Sequence, residues 1–194
     1  NIAYNGGGGI LLYASGSVTM TNVTLSGNTA DRAGGGISIN NTELTMTDCL
    51  IEGNETNNGY EGSQQGGAGI STEADSWASI TLTNVKIDNN IINSSSTSGL
   101  GGGIRLNNNQ TLIMNGGSIS GNTGLYTAGA SAIYSDGGDI YLDGVAINDN
   151  INNHTIILDG ELTFDARYTE FTGNWFGAVI RMIEGSYYSL TLDH

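Results

Sequence analysis

Three glycines followed by an isoleucine occur at Gly7-Gly8-Gly9-Ile10, at Gly34-Gly35-Gly36-Ile37 and at Gly101-Gly102-Gly103-Ile104, with Gly67-Ala68-Gly69-Ile70 as a degenerate copy. A motif that returns at intervals through a chain specifies a stack of like units, and so an architecture before any chemistry. From Ile10 through Ile37, Ile70 and Ile104 to Ile133 the intervals are 27, 33, 34 and 29 residues. Each interval holds two further elements. The first is an alternating apolar pair: Val18 and Met20, Leu44 and Met46, Ile80 and Leu82, Leu112 and Met114, Ile140 and Leu142. Alternation of period two marks a strand with one buried face. The second is a bulky apolar residue followed three positions later by asparagine: Leu25 and Asn28, Ile51 and Asn54, Ile87 and Asn90, Ile119 and Asn122, Ile147 and Asn150, Phe171 and Asn174. Toward the end Ile156-x-Leu158 and Ile180-x-Met182 fill the isoleucine position, and Leu190-x-Leu192 reads as the next one.

A period of roughly 25 to 35 residues, with three short strands separated by Gly and Asn turns, is one coil of a parallel β-solenoid. The spacing predicts about six to seven coils in a single segment, residues 1–194. Coils stack at about 4.8 Å, so six of them make a rod of roughly 30 Å. No helical spacing is sustained. A sandwich or barrel would need antiparallel hairpins with two-residue turns, and its alternation would not hold one register through the chain.

The glycine-glycine-x-isoleucine and bulky-x-x-Asn elements resemble the paired repeat motifs of chlamydial polymorphic outer membrane proteins and of related adhesin-like β-helices on bacterial and methanogen surfaces. They alternate in order over nearly the whole chain, with Leu or Ile mostly standing where that family's second motif has phenylalanine, and Phe171 matching it. The resemblance implies an all-β, right-handed, single-stranded parallel β-helix, secreted or displayed at a cell surface, with a binding or structural role and no catalytic residues.

Composition fits an extracellular address: 31 Gly, no Pro, 12% charged residues and a formal charge of −14, from 19 acids against Arg32, Lys86, Arg105, Arg167 and Arg181. So few cations exclude nucleic acid and anionic membranes as partners. No apolar run is long enough to insert in a bilayer. The acids keep a long rod soluble and self-repelling. No cofactor is expected; Ca²⁺ is the ion such acids would take, but no calcium-binding repeat is present. Cys49 occupies the place held by Val23, Val85 and Val145 in other coils, and reads as a small buried hydrophobe.

Asn28, Asn54, Asn90, Asn122, Asn150 and Asn174 should form a ladder, each tolerating a left-handed turn and bonding its neighbour's amide or the turn backbone. The glycines then mark a tight corner of the coil. Thr19 and Thr21, Thr45 and Thr47, and Thr81 and Thr83 would display two columns of threonine, a minor ice-binding reading that breaks at Ile113 and Tyr141. Asp136, Asp139, Asp143, Asp149, Asp159 and Asp165 form the one acid-rich region where a polysaccharide-cleaving pair could sit. Solvated surface acids are the simpler account. His154 and His194 have no partner at ligand spacing, so no metal site is expected.

Between each asparagine and the next isoleucine the chain varies in length, 16 residues from Asn54 to Ile70 against nine from Asn28 to Ile37. These segments leave one corner of the coil and would build a ridge bearing Tyr60, Glu61, Gln64, Gln65, Leu125 and Tyr126, a mixture suited to a sugar or peptide. Asn1 lies nine residues before Ile10 and His194 falls two after Leu192, with no polar cap at either place. The chain therefore reads as a window of a longer array, or as a subunit stacked end to end on its own copies. The expected role is an adhesive or structural surface module, with a host or neighbouring-cell glycan or protein as partner. An extracellular fibre and a polysaccharide-cleaving enzyme are the alternatives.

Overall fold

The coil turns where a residue adopts left-handed backbone. Ile37–Thr47 runs extended apart from a bend at Asn41 (φ 46°), and Asp48 (φ 53°) then turns the chain into Leu50–Glu52. Gly53 (φ 57°) makes the next corner, into Asn54 and the short strand Glu55–Thr56. In this computed structural model, which describes residues 1–57, 66–93, 101–124, 129–151, 154–175, 177–183 and 188–193, the same corners recur coil after coil. Asn22, Asn84 and Gly144 repeat the Asp48 turn, while Gly27, Asn89, Gly121, Asp149 and Gly173 repeat the Gly53 turn. Left-handed backbone crowds Cβ, so these corners take glycine or the short, locally hydrogen-bonding Asn and Asp. The ladder asparagines themselves are not left-handed. The residue before each of them makes the turn, which corrects the sequence expectation and frees the asparagine side chain to point inward.

All strand pairings among the described residues are parallel, and each joins a coil to the next. Apolar columns run along the axis on three walls. Ile10, Ile37, Ile70, Ile104, Ile133, Ile156 and Ile180 stack in one, on what we call the isoleucine wall. Leu44, Ile80, Leu112, Ile140 and Phe164 lead the paired columns of the second wall, with Met46, Leu82, Met114, Leu142 and Ala166 beside them. Leu25, Ile51, Ile87, Ile119, Ile147 and Phe171 stack on the third. From coil two to coil five these side chains are buried, each contributing about 1.5–3 kcal/mol.

Two features depart from the sequence reading. Leu190 and Leu192 pair with Phe164 and Ala166, so they continue the second wall and do not open a new isoleucine position. The small Ala166 hid that pair. A fourth, short wall also follows the asparagines, made of Ile2–Ala3, Thr29–Ala30, Glu55–Thr56 and Ile91–Ile92. Two residues are too few to show alternation.

The asparagine ladder closes the corner between the third and short walls. In Asn54, Asn90, Asn122 and Asn150 the side-chain oxygen accepts two donors from the preceding rung, the backbone N–H and Nδ2, at 2.9–3.1 Å. Nδ2 donates to the next rung's Oδ1 and to a third-wall carbonyl, as Asn122 does to Ile87 O at 2.8 Å. Asn174 takes the same two donors from Asn150, and Asn1 donates into Asn28. From Asn54 to Asn150 these amides are buried and fully satisfied, which offsets the cost of placing them inside.

The third glycine of each triplet packs against this ladder. A Cβ at Gly36 would lie 2.6 Å from Gly69 O and 2.9 Å from Ile51 Cγ2. Cys49 is buried with its neighbours: its thiol donates to Thr47 O at 3.2 Å and accepts from Val23 N–H at 3.4 Å.

Candidate functional site

The ridge residues Tyr60, Glu61, Gln64, Gln65, Leu125 and Tyr126 lie outside the described residues. The ladder residues Asn28, Asn54, Asn90, Asn122, Asn150 and Asn174 are spent on one another and on the backbone, and face no ligand. What the structure does bring together lies on the outer surface of the isoleucine wall.

Alternation along these strands sends every second residue outward. One outward column contains Ser38, Ser71, Arg105, Tyr134 and Ile157, in register across adjacent coils. Two residues further along each strand, a polar column begins at Tyr13 beside Asn40. Asn40 Nδ2 donates to Glu73 Oε2 at 2.7 Å, Asn107 follows Leu106 in the next coil, and Asp136 pairs with Asp159. Amides and carboxylates thus succeed one another at the coil repeat.

Arg105 links the two columns. It is 7% exposed, and Gly66 lies so close on its stem that no side chain fits there. Its Nη2 donates to Asn107 Oδ1 at 3.1 Å and its guanidinium lies 5.8 Å from the Tyr134 ring centroid. Among the described residues no hydrogen-bond partner reaches Nε, and burial lowers the pKa of the group although Tyr134 and Asp136 pull the other way. Tyr134 donates its hydroxyl to Asp159 Oδ2 at 3.1 Å; burial, and then Asp159, push its pKa up, so it stays a donor. Together these groups make a largely buried, hydrogen-bonded cluster of mixed charge.

Burial first, and Asp159 second, hold the Asp136 carboxyl above its ordinary range, with Arg105 opposing them. The folded chain therefore keeps this proton more tightly than the unfolded chain does. Its stabilising contribution is complete below the unfolded value of 3.8 and is lost as pH rises through the raised folded value. Asp136→Asn should raise the melting temperature near neutral pH and lose that advantage in acid. Melts of parent and variant across the pH range should converge at low pH, and parallel curves would refute the assignment.

The other acids of that region are dispersed. Asp139, Asp143 and Asp165 sit on the second wall, where Asp139 accepts from Thr163 N–H at 2.7 Å and Asp165 pairs with Arg167 at 2.8 Å. Asp149 makes a corner. Only Asp136 and Asp159 of the six meet, because they occupy the same position on neighbouring coils. Thr19, Thr45 and Thr81 stand in register with Thr21, Thr47 and Thr83 beside them, and Ile113 and Tyr141 continue the first column. His154 Nδ1 accepts from Ala178 N–H at 2.9 Å, a backbone role. Among the described residues no three His, Cys, Asp or Glu side chains are placed to hold a metal ion, and no helix is long and apolar enough to cross a membrane.

The polar column was not legible beforehand, since no single residue type runs through it and it is defined by register alone. Counting three residues on from each isoleucine would have found it: Tyr13, Asn40, Glu73, Asn107, Asp136 and Asp159.

Comparison with curated proteins finds no match, and neither does comparison with solved structures. A family model described as a right handed beta helix region matches residues 1–146, well over half of the chain's 194 residues. Parallel strands, a coil that closes on itself and the repeated ladders all agree with it: the chain belongs to the right-handed β-helix family.

Proposed function

We propose that this β-helix is a non-catalytic adhesive and structural module of an extracellular surface, and that it meets a glycan or protein partner along the outer surface of the isoleucine wall. The observation that carries the reading is the polar column from Asn40 to Asp159, held in register by strands whose inner faces are locked in the core. A row of donors and acceptors repeating at about 4.8 Å suits an extended chain laid along the rod. The −14 charge favours neutral over acidic partners. Binding of the labelled chain to a glycan array and to a peptide array tests this. Asn40→Ala combined with Asp159→Asn should cut the signal at least tenfold, and equal binding by the variant would reject the column as the contact surface.

One observation favours a second reading, cleavage of a polysaccharide: Asp136, with its raised pKa, stands beside the Asp159 carboxylate. Incubation with neutral and acidic glycans decides between the two. Oligosaccharides released by the parent and not by Asp159→Asn would replace adhesion with catalysis.

A further inference from the structure

The geometry points to a separate binding site for a single neutral sugar residue, a pyranose of the hexose class, in a cleft on the first three coils. It deepens the adhesive reading and rests on it for its biological sense; it shares Tyr13 and Glu73 with the polar column and adds Asn5, Leu11, Arg32 and Ser38. The cleft has a volume of about 290 Å³ and is lined by Asn5, Leu11, Tyr13, Arg32, Ser38 and Glu73 among others. That is near the lower limit of ligand pockets, roughly 300 Å³, so one ring fits and an oligomer does not.

One wall of the cleft is the segment before the glycine triplet, where Gly6 bridges to Ala33 and Arg32 N–H donates to Asn5 O at 3.3 Å. The cleft is also lined by Tyr13, 67% exposed, and by Glu73, whose Oε2 is oriented by the Asn40 amide. Ser38 forms the floor; its hydroxyl is buried and has no hydrogen-bond partner among the described residues, and a Cβ on Gly6 would lie 2.8 Å from it. Only a glycine lets the upper segment lie this close to that hydroxyl.

The choice of ligand follows from charge and shape. Arg32 makes no ion pair with any described residue, and it shares the cleft with one carboxylate, so the site carries no net charge for a bound ion to answer. It offers a five-donor guanidinium, a carboxylate that only accepts, and the Asn5 amide that does both. An aromatic ring and Leu11 supply an apolar surface beside them. A pyranose matches this set, with hydroxyls around its edge that donate and accept and C–H groups on its face.

Amide chemical shifts of the isotope-labelled chain would report occupancy. Methyl glycosides of glucose, galactose, mannose and N-acetylglucosamine are titrated singly into the millimolar range, where weak one-ring contacts saturate. At least one should shift Gly6, Leu11, Arg32, Ser38 and Glu73 saturably. Arg32→Gln and Tyr13→Ala, both at exposed positions, should each weaken that binding roughly tenfold while leaving distant shifts in place. No shift at these residues with any of the four glycosides overturns the site, as does unchanged affinity in both variants. Saturable binding here by a chain that fails on both arrays keeps the cleft and discards the adhesive role. Array binding without glycoside shifts does the reverse.

Discussion

Asn122→Ala should destabilise the fold by about 4 kcal/mol, a large effect for one exchange of a polar side chain. Removing the amide leaves Asn90 N–H and Asn90 Nδ2 without their acceptor, and takes a donor from Ile87 O and another from Asn150 Oδ1. Each buried group left unmade costs about 1–3 kcal/mol, partly relieved where a second bond survives, as at Asn150 through Asn122 N–H. Denaturant midpoints at constant slope would measure the loss, and hydrogen exchange should show the Asn90 amide unprotected. A change below about 0.5 kcal/mol, the level of an ordinary surface substitution, would mean that the ladder follows the fold and does not hold it.

Gly36→Ala should cost about 3 kcal/mol for a reason that has nothing to do with conformational freedom, because Gly36 is not left-handed. Its missing side chain is the space through which two coils approach: the added methyl would meet Gly69 O at 2.6 Å, Ile51 Cγ2 at 2.9 Å and Asn54 Nδ2 at 3.2 Å. Gly53→Ala is the matched control. Gly53 is left-handed at φ 57° with nothing within 4 Å of an added Cβ, so only backbone strain applies, about 1 kcal/mol. Equal losses at the two positions would refute the packing account.

Most of the fold was legible because its positions are fixed by offset. Ile51 predicts Asn54, and Met46 predicts Ile51, whatever the loops between coils do. Legibility failed where identity was replaced by shape or by register. Ala166 holds a column position with too little apolar bulk to announce it, so Leu190 and Leu192 read as the next isoleucine position when they belong to the second wall. Gly27, Asn89 and Asp149 make one kind of corner with three residue types, so the turn was credited to the asparagine that follows. The Asp136–Asp159 contact was hidden differently: 23 residues separate them, while Asp139 and Asp143 lie nearer in the chain and yet on another wall. Arg105 carried no sequence signal. Its burial depends on Gly66 crossing its stem, a contact between coils that no local pattern encodes.

The rungs of the ladder are interchangeable, and that has a consequence for how such a chain can be edited. Asn54 would receive Asn122 as readily as Asn90, since each rung presents the same oxygen upstream and the same amide downstream. The ladder thus fixes direction, because reversing a coil would oppose two carbonyls, but it does not count. Deleting one whole period, or duplicating one, leaves every bond of the remaining stack in kind. The rod can change length in steps of a single coil at little energetic penalty, and the unequal segments before the glycines are the part that records which coil was which.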